Sequence, residues 1–135
     1  TGPIEQELKG KYGTNAHIHF LGWRKDIPQI LRASDLFVLP SLREAFGLSI
    51  VEAMACNVPV IATETGGAKD IIENGKSGLL VPPGDSESLL VAIKTLLDNP
   101  GQRKALAKNA LERVKALFTA EKMAERTAEI YRTIP

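Results

Sequence analysis

The sequence has a single cysteine, Cys56, so it forms no internal disulfide and offers no cysteine-rich metal site. It has no apolar run near the ~20 residues that a membrane span requires, and no signal-peptide pattern. It lacks an excess of charge of either sign. Seventeen Lys+Arg against sixteen Asp+Glu leave +1, which gives no general pull toward nucleic acid or anionic lipid. It also lacks low-complexity stretches, internal repeats and linker-like segments. Its 11 glycines and 8 prolines fall between apolar runs, as turn punctuation does. These absences argue against a secreted disulfide scaffold, a membrane-spanning chain, a collagen-like chain and a disordered one.

What remains is an ordinary globular composition, 44% hydrophobic and 24% charged, on 135 residues. That length suits one domain, residues 1–135, and buries roughly two-thirds of its unfolded surface without a metal or disulfide staple. Short apolar runs alternate with amphipathic stretches. Strands are predicted at Ile18–Leu21, Leu36–Leu39, Val58–Ala62 and Gly78–Val81. Helices are predicted at Ile4–Tyr12, after Asp26 as cap, at Leu48–Cys56 with Leu48, Val51 and Ala55 as the buried stripe, and at Lys69–Asn74. A long helix capped by Asp85 follows, then a break at Asn99-Pro100, then helices over Gln102–Leu117 and on to about Tyr131. Strands alternating with helices predict a parallel sheet covered by helices on both faces.

In such sheets ligands sit at the carboxyl ends of the strands. Four loops should meet there: Gly22-Trp23-Arg24, Pro40 to Gly47, Thr63 to Gly67, and Pro82 to Asp85. The second is the most informative. Glu44 stands just before a helix, and Phe46, Gly47 and Leu48 stand at its start, where backbone N–H groups lack helical partners. Gly47 permits close backbone approach, and a helix start facing a crevice suits a phosphate. Ser49 and Glu52, three apart, share one helical face. One loop thus offers two carboxylates for hydroxyl groups and backbone donors for phosphate oxygens. The same spacing fits equally well with Glu44 as a solvated loop residue and Glu52 on a solvated face. Gly66-Gly67, between a strand and a helix, suits either close approach of a ligand or a plain turn.

Taken in order, Glu44-Ala45-Phe46-Gly47-Leu48, Glu52-Ala53-Met54-Ala55, Pro59-Val60-Ile61-Ala62-Thr63, Gly66-Gly67 and Gly78-Leu79-Leu80-Val81-Pro82-Pro83-Gly84-Asp85 resemble the carboxyl-terminal domain of the retaining group 1 (family 4) GT-B glycosyltransferases. Glu44 and Glu52 stand with seven residues between them, as in that family's paired-glutamate motif. The resemblance runs from about Gly2-Pro3 to the last helix. It implies the donor-binding part of an enzyme that moves a sugar from a UDP- or GDP-sugar to an acceptor with retention, a hexosyltransferase. It further implies that Glu44, the catalytic candidate, contacts donor-sugar hydroxyls and that Glu52 contacts the ribose. The backbone at Phe46, Gly47 and Leu48 would approach the sugar and distal phosphate, with Ser49, Gly66 and Gly67 alongside. Gly22 and Trp23 would lie near the nucleobase. The family usually uses no metal, so no cofactor is expected beyond the nucleotide sugar as co-substrate. A cytoplasmic location follows, peripheral at the membrane for a longer enzyme.

The chain departs from the family pattern in two places. Asp70 stands where the family often has Glu after Gly-Gly. Gly2-Pro3 come at the very front, so the family's basic pair for the diphosphate, two central strands and the acceptor-binding amino-terminal domain have no counterpart here. The expected fold is therefore α/β, a Rossmann-like three-layer parallel sheet, amino-terminally truncated, with four strands visible. An exposed strand edge predicts a sheet with a gap, a changed strand order, or homo-association that repairs the edge. Two other functions share this crevice: a GT-B-type nucleotide-sugar epimerase domain and a nucleotide-binding module without turnover. His17 and His19 read as an exposed strand face and Cys56 as a small packed residue. Trp23 reads as a base-stacking or loop-tip residue. The cations of Arg103-Lys104, Lys108, Arg113 and Lys115 read as a solvated helix face, with no nucleic-acid partner.

Overall fold

A computed structural model describes residues 3–133; Gly2, where the family resemblance begins, lies outside the described residues. The chain runs α1 (Glu5–Tyr12), α2 (Ile27–Arg32), β1 (Phe37–Leu39), α3 (Leu48–Ala55), β2 (Val60–Thr63), α4 (Gly66–Ile71), β3 (Leu79–Val81), α5 (Ser86–Asp98), α6 (Pro100–Leu117) and α7 (Ala120–Thr133). The three strands are parallel and lie in the order β1-β2-β3. Phe37, Val38 and Leu39 pair with Val60, Ile61 and Ala62, and Ile61, Ala62 and Thr63 pair with Leu79, Leu80 and Val81.

All four residues of β2 are buried, because helices cover both faces of the central strand. Alternation along the strands divides the core in two. Val60 and Ala62 point with Phe37, Leu39 and Leu80 toward α3, α4 and α6, where they meet Ile50, Met54, Ile71 and Ala110. Ile61 points with Val38, Leu79 and Val81 toward Leu89, Ile93 and Leu96 of α5. The result is the three-layer α/β arrangement that the alternating pattern predicts.

The expected strand at Ile18–Leu21 does not form. These residues are exposed and join no ladder, so the sheet has three strands among the described residues and not four. A strand is stable only against a partner, and this segment pairs with neither edge of the sheet, while α1 beside it buries no residue. Of the outcomes predicted for the sheet, an incomplete one is observed, with β1 and β3 as its edges.

Helix ends follow local chemistry. Asp85 caps α5 as expected: its carboxylate accepts from the Ser88 amide at 2.9 Å and the Ser88 hydroxyl at 2.6 Å. Asn99 caps α6 by accepting from the Gln102 amide at 3.0 Å, with Pro100 in the first turn. Asp26 does not cap α2 with its side chain, because Arg24 takes both carboxylate oxygens at 2.8 and 2.6 Å. α4 starts three residues earlier than expected, at Gly66, and ends at Ile71. Asn74 instead accepts from the Leu80 amide at 2.9 Å and stands beside Gly78 in a bridge. α3 closes on Asn57, which adopts φ +60°; its amide bonds to Met54 and that of Val58 to Ala53, satisfying two end carbonyls.

Arg113 of α6 locks α4 against the rest of that layer. Its guanidinium donates to the Ile71 carbonyl at 2.6 Å, to the Asp70 carbonyl at 3.1 Å and to the Glu73 carboxylate. A cation on the last carbonyls of a helix also opposes the negative end of the helix dipole. Replacing it by Met leaves the two carbonyls without this donor and the Glu73 carboxylate with Lys76 alone, so Arg113→Met is expected to lower stability by about 2 kcal/mol. A urea unfolding midpoint equal to that of the unmodified chain would contradict this role.

Candidate functional site

The loop from Pro40 to Gly47 leaves the carboxyl end of β1 and turns into α3. Gly47 stands at its last position with φ +96°, a conformation that a side chain strains. A Cβ here would lie 2.9 Å from Cδ1 of Ile50 and 3.5 Å from Cγ of Glu44. The glycine therefore lets Ile50 fill the core beneath it while the Glu44 side chain passes over it. No side chain caps α3. The amides of Leu48 and Ser49 consequently face outward without helical acceptors, and positive partial charge collects at this end.

The loop is tied to the next one. The Gly67 amide donates to the Glu44 carbonyl at 3.4 Å. A Cβ on Gly67 would overlap the backbone of Phe46, so only glycine lets α4 start against that segment. Phe46, 44% exposed, meets Phe118 edge-on, with ring centroids 6.3 Å apart and planes at 69°. Sequence reasoning did not find Phe118. It lies 72 residues away, after the end of α6, and no local pattern connects it to the loop.

The structure thus brings Glu44, Phe46, Gly47, Leu48 and Gly67 together, with Gly66 open beside them. Glu44 is half-buried, Ser49 is partly covered and Glu52 is exposed on α3. The stripe predicted for α3 is corrected. Ile50, Ala53 and Met54 face the core, while Leu48 is 69% exposed on the same outward side as Glu52. Apolar residues occupy almost every position of this helix, so periodicity does not discriminate between its faces. The backbone turn at Gly47 sets the face by placing Ile50 inward.

Gly22 and Trp23 are not drawn into this group. Gly22 lines a cavity of about 410 Å³ with Ile4, Leu8 and Phe20 beside α1. The Trp23 ring is 80% exposed, with the Lys25 ammonium 5.6 Å from its centroid. Without a strand at 18–21, nothing fixes their loop to the sheet's carboxyl edge. Cys56 is a half-buried free thiol packed against the core, as expected. Among the described residues no group of three or more His, Cys, Asp or Glu could hold a metal ion, and no helix is long and apolar enough to cross a membrane.

A cavity of about 150 Å³ opens at the carboxyl edge between Pro40, Leu42, Thr63, Pro82, Gly84 and Leu89. A larger one of about 620 Å³ lies at the other end of the strands, between Asp35, Pro59 and the Arg103–Lys108 side of α6. Beside the smaller cavity, the hydroxyl and amide of Ser88 hold the Asp85 carboxyl below its ordinary value of 3.8.

The family model for glycosyl transferases group 1 matches residues 4–113. The lipopolysaccharide core biosynthesis mannosyltransferase LpsB of Rhizobium meliloti (strain 1021) is 35% identical over 142 residues, covering 99% of this chain and 40% of that protein. The structure of sucrose-phosphate synthase from Thermosynechococcus elongatus superposes with a TM-score of 0.86 at 37% identity, covering 96% of this chain and 33% of that one. The Anabaena Alr3699/HepE structure in complex with UDP-glucose gives 0.87 at 34% identity, covering 96% and 36%. The chain therefore spans two-fifths or less of each of these proteins.

Two expected outcomes follow from the geometry. Gly67→Ala must push α4 away from Phe46, so amide NMR shifts should change across 44–47 and the unfolding temperature should fall; an unperturbed loop would contradict the close approach. The lowered Asp85 pKa means that its contribution to stability is complete above the unfolded value and is lost as pH falls through the folded one. The Ser88 amide shift should therefore titrate with a midpoint below 3.8. Asp85→Asn should abolish that titration, and a midpoint at or above 3.8 would refute the assignment.

Proposed function

The chain belongs to the glycosyl transferases group 1 family, and from that membership we propose that it forms the donor-binding part of a retaining glycosyltransferase. The substrate is a nucleoside-diphosphate sugar, from which a hexosyl group passes to an acceptor held by residues outside this chain. The observation that carries the proposal is the open start of α3. A left-handed glycine, two outward amides and no capping side chain stand at the carboxyl edge of a parallel sheet, with Glu44 before the helix and Glu52 within it.

Each part has a chemical task. The amides at Leu48 and Ser49, with the positive end of α3, donate to oxygens of the phosphate nearest the sugar. As the bond between the anomeric carbon and that phosphate breaks, negative charge grows on the leaving nucleoside diphosphate, and these fixed dipoles stabilise it. The Glu44 carboxylate accepts hydrogen bonds from donor-sugar hydroxyls and holds the anomeric carbon toward the acceptor. Glu52 accepts from the ribose hydroxyls. Ser49, Gly66 and Gly67 line the approach, and Gly22 and Trp23 close over the base when their loop is brought to the sheet edge. No protein nucleophile, metal or organic cofactor has a step in this scheme. The UDP-glucose found in the HepE structure supports a uridine nucleotide as the first donor to test.

The test uses the product of the complete reading frame. Glu44→Gln keeps shape but removes charge, and is expected to lower turnover more than about tenfold with the fold retained. Glu52→Ala is expected to raise the donor KM more than it lowers kcat. Unchanged kinetics in both variants would remove the paired glutamates from the site. Hydrolysis or epimerisation of the donor without transfer would replace transfer by another reaction at the same crevice.

A further inference from the structure

β1 and β2 share a ladder only as far as Leu39 opposite Ala62. The pairing stops there: the Phe37 amide donates to the Pro59 carbonyl, so alternate β1 amides face β2, and the next in turn, that of Ser41, lies beyond the last paired residue. The sheet therefore releases the chain at Pro40, and the backbone ladder does not fix where Ser41 goes. Thr63 itself remains in the sheet on its other side. It pairs with Val81, and the amide of the following residue, Glu64, donates to the Val81 carbonyl at 2.8 Å.

The Thr63 side chain bridges the opening. It is 4% exposed, and its hydroxyl donates to the Ser41 carbonyl, with the Leu39 carbonyl a weaker second acceptor at 3.5 Å. A buried hydroxyl needs such a partner, and a carbonyl left without it carries the cost of desolvation. Ser41 is the first turn of the segment that carries Glu44, Phe46 and Gly47. The far end of that segment is held by Gly67 and Phe118. The near end has the Thr63 hydroxyl.

We infer that Thr63 is a positioning residue of the donor site: its hydroxyl, bonded to the Ser41 carbonyl just past the end of the β1–β2 ladder, sets the direction in which Ser41 leaves the sheet and so the place where Glu44 meets the sugar. The inference rests on the donor-binding role assigned above.

Thr63→Val keeps the shape and removes the donor; Thr63→Ser keeps the donor and removes the methyl. In the product of the complete reading frame, Thr63→Val is expected to lower kcat/KM for the nucleotide sugar about tenfold. Thr63→Ser should return most of that loss. Backbone hydrogen exchange should rise across 41–47 in Thr63→Val and stay unchanged in β3 and α5. Wild-type kinetics in Thr63→Val, or Thr63→Ser as impaired as Thr63→Val, would overturn the inference. Exchange raised throughout α5 would also overturn it, since the residue would then act on the fold as a whole. An unmodified enzyme that neither binds nor consumes a nucleotide sugar would instead refute the donor-binding role, and the inference with it, before any variant is compared.

Discussion

α4 starts against the backbone of Phe46 because Gly67 carries no side chain, and the geometry of the carboxyl edge depends on that contact. It brings an amide to the Glu44 carbonyl and holds two successive βα loops as one surface. With any side chain at Gly67, α4 would stand off, the Phe46 ring would lose its place on Phe118, and Gly47 would no longer lie over Ile50. This contact fixes the backbone that leads from Glu44 into the helix carrying Glu52. Arg113 acts at the other end of the same short helix, so α4 is held at both ends by residues distant in sequence.

The domain combines two opposite uses of helix starts. α5 and α6 close their first turns with Asp85 and Asn99, as a helix does when its end is structural. α3 starts on a glycine and spends no side chain on its amides. The difference lies in the first residue of each helix. A carboxylate or amide side chain occupies the donors; a left-handed glycine leaves them free and clears space above them. Within one domain, the same backbone group is taken up by a cap at α5 and α6 and left open at α3, where the proposed function uses it.

Much of this was legible in sequence. Three of the four expected strands form, because continuous apolar runs bounded by Pro and Gly describe strands covered on both faces. Asp85 and the Asn99-Pro100 break carry their own local signals. The failures share a cause, which is that a partner decides the outcome. Ile18–Leu21 has strand-like residues but pairs with neither edge of the sheet. Asp26 has the right side chain for a cap, but Arg24 binds it first. On α3, apolar residues surround the axis, and only the turn at Gly47 selects Ile50 over Leu48. The glutamates and glycines of the site were visible as a motif. The contacts that hold them, Thr63 to Ser41 and Phe118 to Phe46, cross 22 and 72 residues and leave no trace in spacing.

The strands stand in space in the order in which they occur in the chain. Each new strand thus adds to the edge made by the strand just before it, across a single intervening helix on one face of the sheet. Each pair closes across one helical crossover, 20 residues between Leu39 and Val60 and 15 between Thr63 and Leu79, and closure entropy grows only slowly with such lengths. α6 follows all three strands in the chain, and its arrival seals the layer over α3 and α4.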